Sequence, residues 1–175
     1  IGFAREDEVI LLVGGPPEWG SHLAQSIYMR DIHGRADGPP PPVDLAHEKR
    51  VGDFVRKLIR DGIATAVHDV SDGGLAVALA EMAMASGIGA TIPGLDSADP
   101  IPVFFGEDQG RYVVTIKLDP QSDALAALWN EAKALGIHAP WIGTTGGAEL
   151  KLGKARAMLV SELKAVNESW FPRFM

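Results

Sequence analysis

Cysteine is absent from the 175 residues, which excludes disulfides, thiolate catalysis and cysteine-ligated zinc. The absence fits a reducing compartment. No apolar run approaches the length of a membrane span, and no basic-then-apolar leader opens the chain, so the expected location is the cytoplasm. Basic residues are the minority. Sixteen Lys and Arg against 23 Asp and Glu leave a net charge of −7, which argues against nucleic acid or an anionic membrane surface as partner. It leaves a phosphorylated small molecule open, because backbone amides at a helix start hold phosphate without any net positive charge. A zinc-protease signature is missing too: "HEKRV" at His47 has no second histidine four residues on. "GGPPEWG" is glycine-rich but lacks the lysine of a P-loop. No Ser-His-Asp set is recognisable, and His22, His33, His47 and His138 read as surface or core fillers.

What is present is a chain of ordinary apolar content, 46%, with enough length for one core and no compositional break that would divide it. It opens on Ile1-Gly2-Phe3 with no initiating Met and runs at once into "DEVILLVG", so the expectation is a piece of a longer protein. Val9–Val13 reads as a buried strand ended by Gly14-Gly15-Pro16-Pro17. A helix is expected over Ser21–His33, then a stiff connector around Pro39–Pro42, lying between two packed helices. Asp44 is a good N-cap for a helix whose apolar stripe is Val51, Phe54, Val55, Leu58 and Ile59, closed by Gly62. "IATAVHDV" reads as a strand, Gly73–Ser86 as an alanine-rich helix packed on several sides, and Gly89–Ile92 as a short strand. Residues 93–102 read as a loop, and 112–118 as a strand alternating Tyr112, Val114, Ile116 and Leu118 on one face. Asp119-Pro120 should start a helix that runs to Leu135. Trp141–Gly143 reads as a strand edge, "TGGAELKL" as a hairpin into a last strand, and Ser161–Trp170 as a terminal helix, with Trp170, Phe171 and Phe174 as packing groups or, alternatively, an exposed interface. The predicted class is α+β, with helices packed on a largely antiparallel or mixed sheet, in one domain over 1–175.

Two stretches concentrate chemistry. In "HDVSDGG", Asp69, Ser71 and Asp72 crowd Gly73-Gly74 where a helix should leave a strand. The glycines allow a tight turn and a close ligand, and the helix offers unpaired N–H groups. Ser71 or Asp72 capping that helix is the simpler role. Alternatively, the two carboxylates ligate Mg²⁺ that bridges to a nucleotide phosphate. In "FFGEDQGRY", Gly106 and Gly110 bracket Glu107, Asp108 and Gln109, and Arg111 enters the next strand. This is either a hairpin turn in which Arg111 pairs with Glu107 or Asp108, or a contact set for a ribose or an amide.

Taken in order, "DVSDGGL", the alanine-rich helix and "FGEDQGRY" resemble the C-terminal domain shared by aminoimidazole ribonucleotide synthetase and its relatives. The resemblance is nearer to the last domain of the synthetase subunit in the phosphoribosylformylglycinamidine synthase family. Supporting stretches cover nearly the whole chain, among them "WGSHLAQSIYMRDIHGRADGPPPPVDLAHEKRVGDFVRKLI" and "SELKAVNESWFPRFM". The resemblance implies an ATP- and Mg²⁺-dependent step in purine synthesis. The amide oxygen of formylglycinamide ribonucleotide is phosphorylated, and ammonia from a partner glutaminase then displaces phosphate. It also implies the rest of the synthetase chain and a small accessory subunit as partners. The family's principal catalytic histidine and Mg²⁺ ligands lie in an N-terminal type of domain, so no catalytic or metal residue carries over. What carries over is a nucleotide- or phosphate-binding role for Asp69, Ser71, Asp72, Gly73 and Gly74, and an auxiliary-site or substrate loop of Gly106, Glu107, Asp108, Gln109 and Arg111. Two departures weigh against ligand binding: Asp108 stands where the family's "GESQ" has serine, adding a negative charge, and "LLVGGPPEWG" lacks a Gly-Glu-Thr. The rival readings are a non-catalytic scaffold domain and another member of the superfamily, of the selenophosphate synthetase or thiamin-phosphate kinase type. The proline run and terminal helix speak against the latter.

Overall fold

In the computed structural model, residues 1–15, 22–93, 99–117 and 122–170 are described. The elements run β1 (Val9–Val13), α1 (Ile27–His33), α2 (Leu45–Arg60), β2 (Ala64–Val70), α3 (Gly74–Ser86), β3 (Ala90–Ile92), α4 (Pro100–Phe105), β4 (Arg111–Ile116), α5 (Asp123–Ala134), β5 (Trp141–Thr145), β6 (Glu149–Leu152), β7 (Met158–Leu159) and α6 (Val160–Trp170). The strands form one sheet in the order β2-β4-β1-β5-β3-β6-β7, antiparallel throughout except for the β3–β6 pair. This is the α+β arrangement the sequence predicts.

The sheet is covered on both faces, which explains the unbroken apolar run of β1. Ile10 and Leu12 join Leu75, Leu79 and Met82 of α3 in one core, with Phe104 of α4 and Val160 of α6. Val9, Leu11 and Val13 join Val51, Phe54, Val55 and Leu58 of α2 and Leu125, Leu128 and Ala132 of α5 in the other. A central strand wet on neither face has no polar alternation to show. α3 packs against α4, α6 and β2 as well as the sheet, so its surface is apolar nearly all round, as its alanines suggest.

Several expectations are corrected. The first helix does not run from 21 to 33: it begins at Ile27, because extended Ser26 caps it by accepting the Met29 N–H. It buries no residue, so the proline run does not join two core-packed helices. Residues 100–105 form α4 rather than loop, because Asp99 accepts the Ile101 N–H and Pro100 supplies the first turn. "FGEDQGRY" is therefore a helix-to-strand connection and not a hairpin. α5 is capped by Ser122; the expected Asp119-Pro120 start lies outside the described residues, as do Leu118, Phe171, Phe174 and the 16–20 part of the glycine-rich loop. β5 is interior, between β1 and β3. β5 and β6 do not pair, because β3 sits between them, so "TGGAELKL" is no hairpin either.

Candidate functional site

The two chemistry-bearing stretches lie 36 residues apart in the chain and meet because of strand register. β2 and β4 pair antiparallel with Val70 opposite Arg111 and Asp69 opposite Tyr112. The turn leaving β2 and the loop entering β4 are thus at the same end of the sheet. β1 ends there too, with Val13 opposite Tyr112. Between them lies a cleft of about 410 Å³. Asp69, Ser71 and Asp72 line it from one side, and Glu107, Gln109, Gly110 and Arg111 from another.

The structure gives the members different roles. Asp69, Ser71 and Asp72 are exposed. Neither Ser71 nor Asp72 caps α3, against the simpler expectation: the N-cap is Gly73, in the left-handed region at φ 81°, with no side-chain cap bond. A polar side chain can accept from the first turn only from an extended cap residue, and the positive φ of Gly73 places Ser71 and Asp72 further back. Gly73 and Gly74 are buried and do not line the cleft. The Gly73 N–H donates to Glu107 Oε1 at 2.8 Å, and the Gly74 N–H donates to the Ser71 carbonyl at 3.0 Å. Both amides are thus engaged within the chain.

In the second loop Gln109 is exposed, while Asp108 and Arg111 are buried. Arg111 donates from Nη2 to the Gly106 carbonyl at 2.7 Å and from Nε to the Asp108 carbonyl at 3.1 Å, and pairs with Asp108 Oδ2 at 3.4 Å. Of the two pairings open to Arg111, the structure takes Asp108. Burial pushes the guanidinium below its ordinary pKa, and the Asp108 carboxylate opposes that shift. Asp108 Oδ1 also lies 2.5 Å from His22 Nδ1. The Asp108 carboxylate is therefore turned inward, against Arg111 and His22, and Asp108 is not among the groups facing the first cleft.

Sequence reasoning missed His22, Gln25, Pro41, Glu48 and Tyr112, which complete the cleft wall. Glu48 had a signal: it sits three and seven residues before Val51 and Val55, on the inward stripe of α2. Its stem packs toward Gly110, and Oε1 is buried with no hydrogen-bond partner. His22 and Gln25 had none, since nothing local announces that residues 22–43 fold back on the loops. His22 also joins His47 and His138 around an adjoining hollow of about 370 Å³. His68 is mostly buried; its Nδ1 lies 2.6 Å from the Asp69 carbonyl oxygen and its Nε2 3.3 Å from Glu81 Oε2. Among the described residues there is no cluster of three or more His, Asp or Glu suited to a metal ion, and no helix long and apolar enough to cross a membrane.

A three-layer α+β domain with two glycine-bounded acidic loops meeting at one sheet end is the class this architecture defines. The chain belongs to the AIR synthase related protein family, in its C-terminal domain, which matches residues 5–150. More particularly, it is similar to the phosphoribosylformylglycinamidine synthase subunit PurL of Mesorhizobium japonicum, with 69% identity over 99% of this chain. It spans about a quarter of the length of the curated relatives it matches, 23% in that case. Its fold is shared with PurLQS from Thermotoga maritima, at a TM-score of 0.71 and 16% identity, covering 93% of this chain and 27% of that one. T. maritima PurL complexed with ATP shares it too, at a TM-score of 0.67 and 15% identity, covering 93% and 26%.

Proposed function

We propose that the chain acts as the C-terminal domain of an ATP-dependent C–N ligase of purine biosynthesis, the synthetase that converts formylglycinamide ribonucleotide to formylglycinamidine ribonucleotide. The observation that carries this reading is the 69% identity to a PurL subunit along 99% of the chain. In this reading the cleft is one wall of a nucleotide-phosphate pocket, closed by a neighbouring domain of the longer synthetase. A glutaminase subunit supplies ammonia, a small accessory subunit completes the assembly, and the enzyme works in the cytoplasm.

The chain's own contribution is bounded by its geometry. Asp69 and Asp72 are the exposed carboxylates of the cleft, and they fit a Mg²⁺ ion only when nucleotide phosphates and water supply the remaining ligands. Mg²⁺ held so would offset phosphate charge beside these acids. Ser71 offers a hydroxyl to the same ligand. Gly73 and Gly74 serve by bringing α3 close and not by donating to phosphate, since their amides are engaged. Gln109 is the exposed amide of the second loop, and Arg111 shapes that loop from beneath.

The internal use of those amides and of Glu107 favours a second reading, a scaffold domain whose cleft binds nothing. Asp72→Ala in the longer synthetase separates the two. Turnover lost with normal folding and assembly supports the ligand role. Unchanged turnover supports the scaffold and contradicts the first reading.

A further inference from the structure

Residues 22–43 form a strap that leaves the body after β1 and returns at α2. Inside it, Gln25 Nε2 donates to the carbonyls of Ala36 and Gly38 at 3.1 and 2.6 Å, which closes the strap on itself. Its helix, α1, fully buries no residue; Ile27, Tyr28 and Met29 are half-buried. Three contacts tie the strap to the stretch from Phe105, at the end of α4, to Asp108. His22 Nδ1 lies 2.5 Å from Asp108 Oδ1. The Ile27 N–H donates to Glu107 Oε1 at 2.8 Å. Tyr28 stacks on Phe105 with ring centroids 4.8 Å apart.

The Glu107 atom that receives Ile27 is the one that receives Gly73, also at 2.8 Å. One carboxylate oxygen therefore joins the start of α1 to the start of α3. His22, Gln25 and Pro41 of the strap line the cleft, and Asp69, Ser71 and Asp72, just before Gly73, line it as well. We propose that Glu107 is the positioning residue of the cleft: its Oε1 seats the strap against α3 and so fixes the separation of two cleft walls. A carboxylate accepting two amide N–H groups forms charge-assisted bonds, stronger than a neutral acceptor makes. The residue that the sequence marks as a polar contact for a ligand is thereby a tie between chain segments, and the ligand-facing groups of its loop are its neighbours. The consequence for nucleotide binding rests on the reading given above; the tie itself does not.

The test is amide hydrogen exchange on the 175-residue chain carrying Glu107→Ala, Glu107→Asp or Glu107→Gln, with no ligand present. Gln keeps an acceptor oxygen in place and loses the charge. Asp keeps the charge and draws the oxygen back by about 1.5 Å, one carbon–carbon bond. In the Ala and Asp variants the amides of Ile27 and Gly73 should exchange about tenfold faster or more, the effect of losing a hydrogen bond to a charged group, while β1 stays protected. In the Gln variant both should exchange faster than in the parent but clearly slower than in the Asp variant, since the acceptor remains and only its charge is lost. Parent-like protection in the Ala variant overturns the proposal. So does a Gln variant that exchanges as fast as the Asp variant, a comparison that stands even if the Ala variant does not fold. Because no nucleotide enters the experiment, its failure is distinct from a failure of the chain to take part in ATP binding.

Discussion

Gly74, at the start of α3, sits against the carbonyl of Gly106: a Cβ added at Gly74 would stand 2.7 Å from that oxygen and 2.8 Å from the carbonyl oxygen of Phe104. Both atoms are backbone at the end of α4, so neither can swing away. Gly74 also has φ 70°, where an L side chain is strained. Gly74→Ala should therefore destabilise the chain by about 3 kcal/mol, from positive-φ strain and overpacking together. Urea denaturation measures it, and a loss below about 1 kcal/mol would mean that the two loops are not in this close contact.

Asp108 stands where relatives are expected to carry serine, yet it cannot be exchanged for serine without cost. Arg111 is buried, with a side chain 1% exposed, and Asp108 is the carboxylate that pairs with it. Asp108→Ser leaves the guanidinium short of its counter-charge, and the expected loss is about 3 kcal/mol. A variant as stable as the parent would show that the charge is not matched inward.

Ser71 and Asp72 are exposed and cap nothing, whereas Ser122 accepts the Leu125 N–H as the cap of α5. Ser71→Ala and Asp72→Ala should leave stability within about 0.5 kcal/mol of the parent. Ser122→Ala should cost about 1 kcal/mol. Denaturation midpoints of the three variants, compared in one buffer, check the contrast. It also makes Asp72 a clean probe of ligand binding.

Burial lowers the His138 pKa below its ordinary 6.5, so the fold favours the neutral ring. The unfolded chain then binds the proton more readily. Stability from this residue is present above pH 6.5 and is lost as pH falls through that value toward the lower folded one. His138→Gln should flatten the fall in stability between neutral and mildly acidic buffer. An unchanged slope would contradict the shift.

How much of this was legible in the sequence depends on whether a feature is local. The stripe Val51, Phe54, Val55 and Leu58 announces α2, and Asp44 its start, because 3.6-residue periodicity and a capping side chain are written within a few positions. Tyr112, Val114 and Ile116 announce one face of β4 for the same reason. Asp99-Pro100 was legible too, since it is the same start signal that was read at Asp119-Pro120, but a short helix among loop-forming residues gave no periodicity to support it. The sheet order was not legible: β3 enters between β5 and β6 through non-local pairing, which no hairpin pattern encodes. Within the cleft, Asp69, Ser71, Asp72 and Gln109 were found because composition marks them. His22 and Gln25 were hidden, because the strap reaches the cleft through contacts with Glu107 and Asp108 that span 80 and 86 residues of the chain.

The central claim is that the cleft is one wall of a nucleotide pocket that only a neighbouring domain completes. Calorimetric titration of the 175-residue chain with MgATP, alone and then with the remainder of the synthetase added as a separate chain, tests it most directly. The account predicts no binding by the chain alone and saturable binding in the combined sample that Asp72→Ala weakens. Micromolar affinity in the chain alone, or combined binding indifferent to Asp72→Ala, would contradict it.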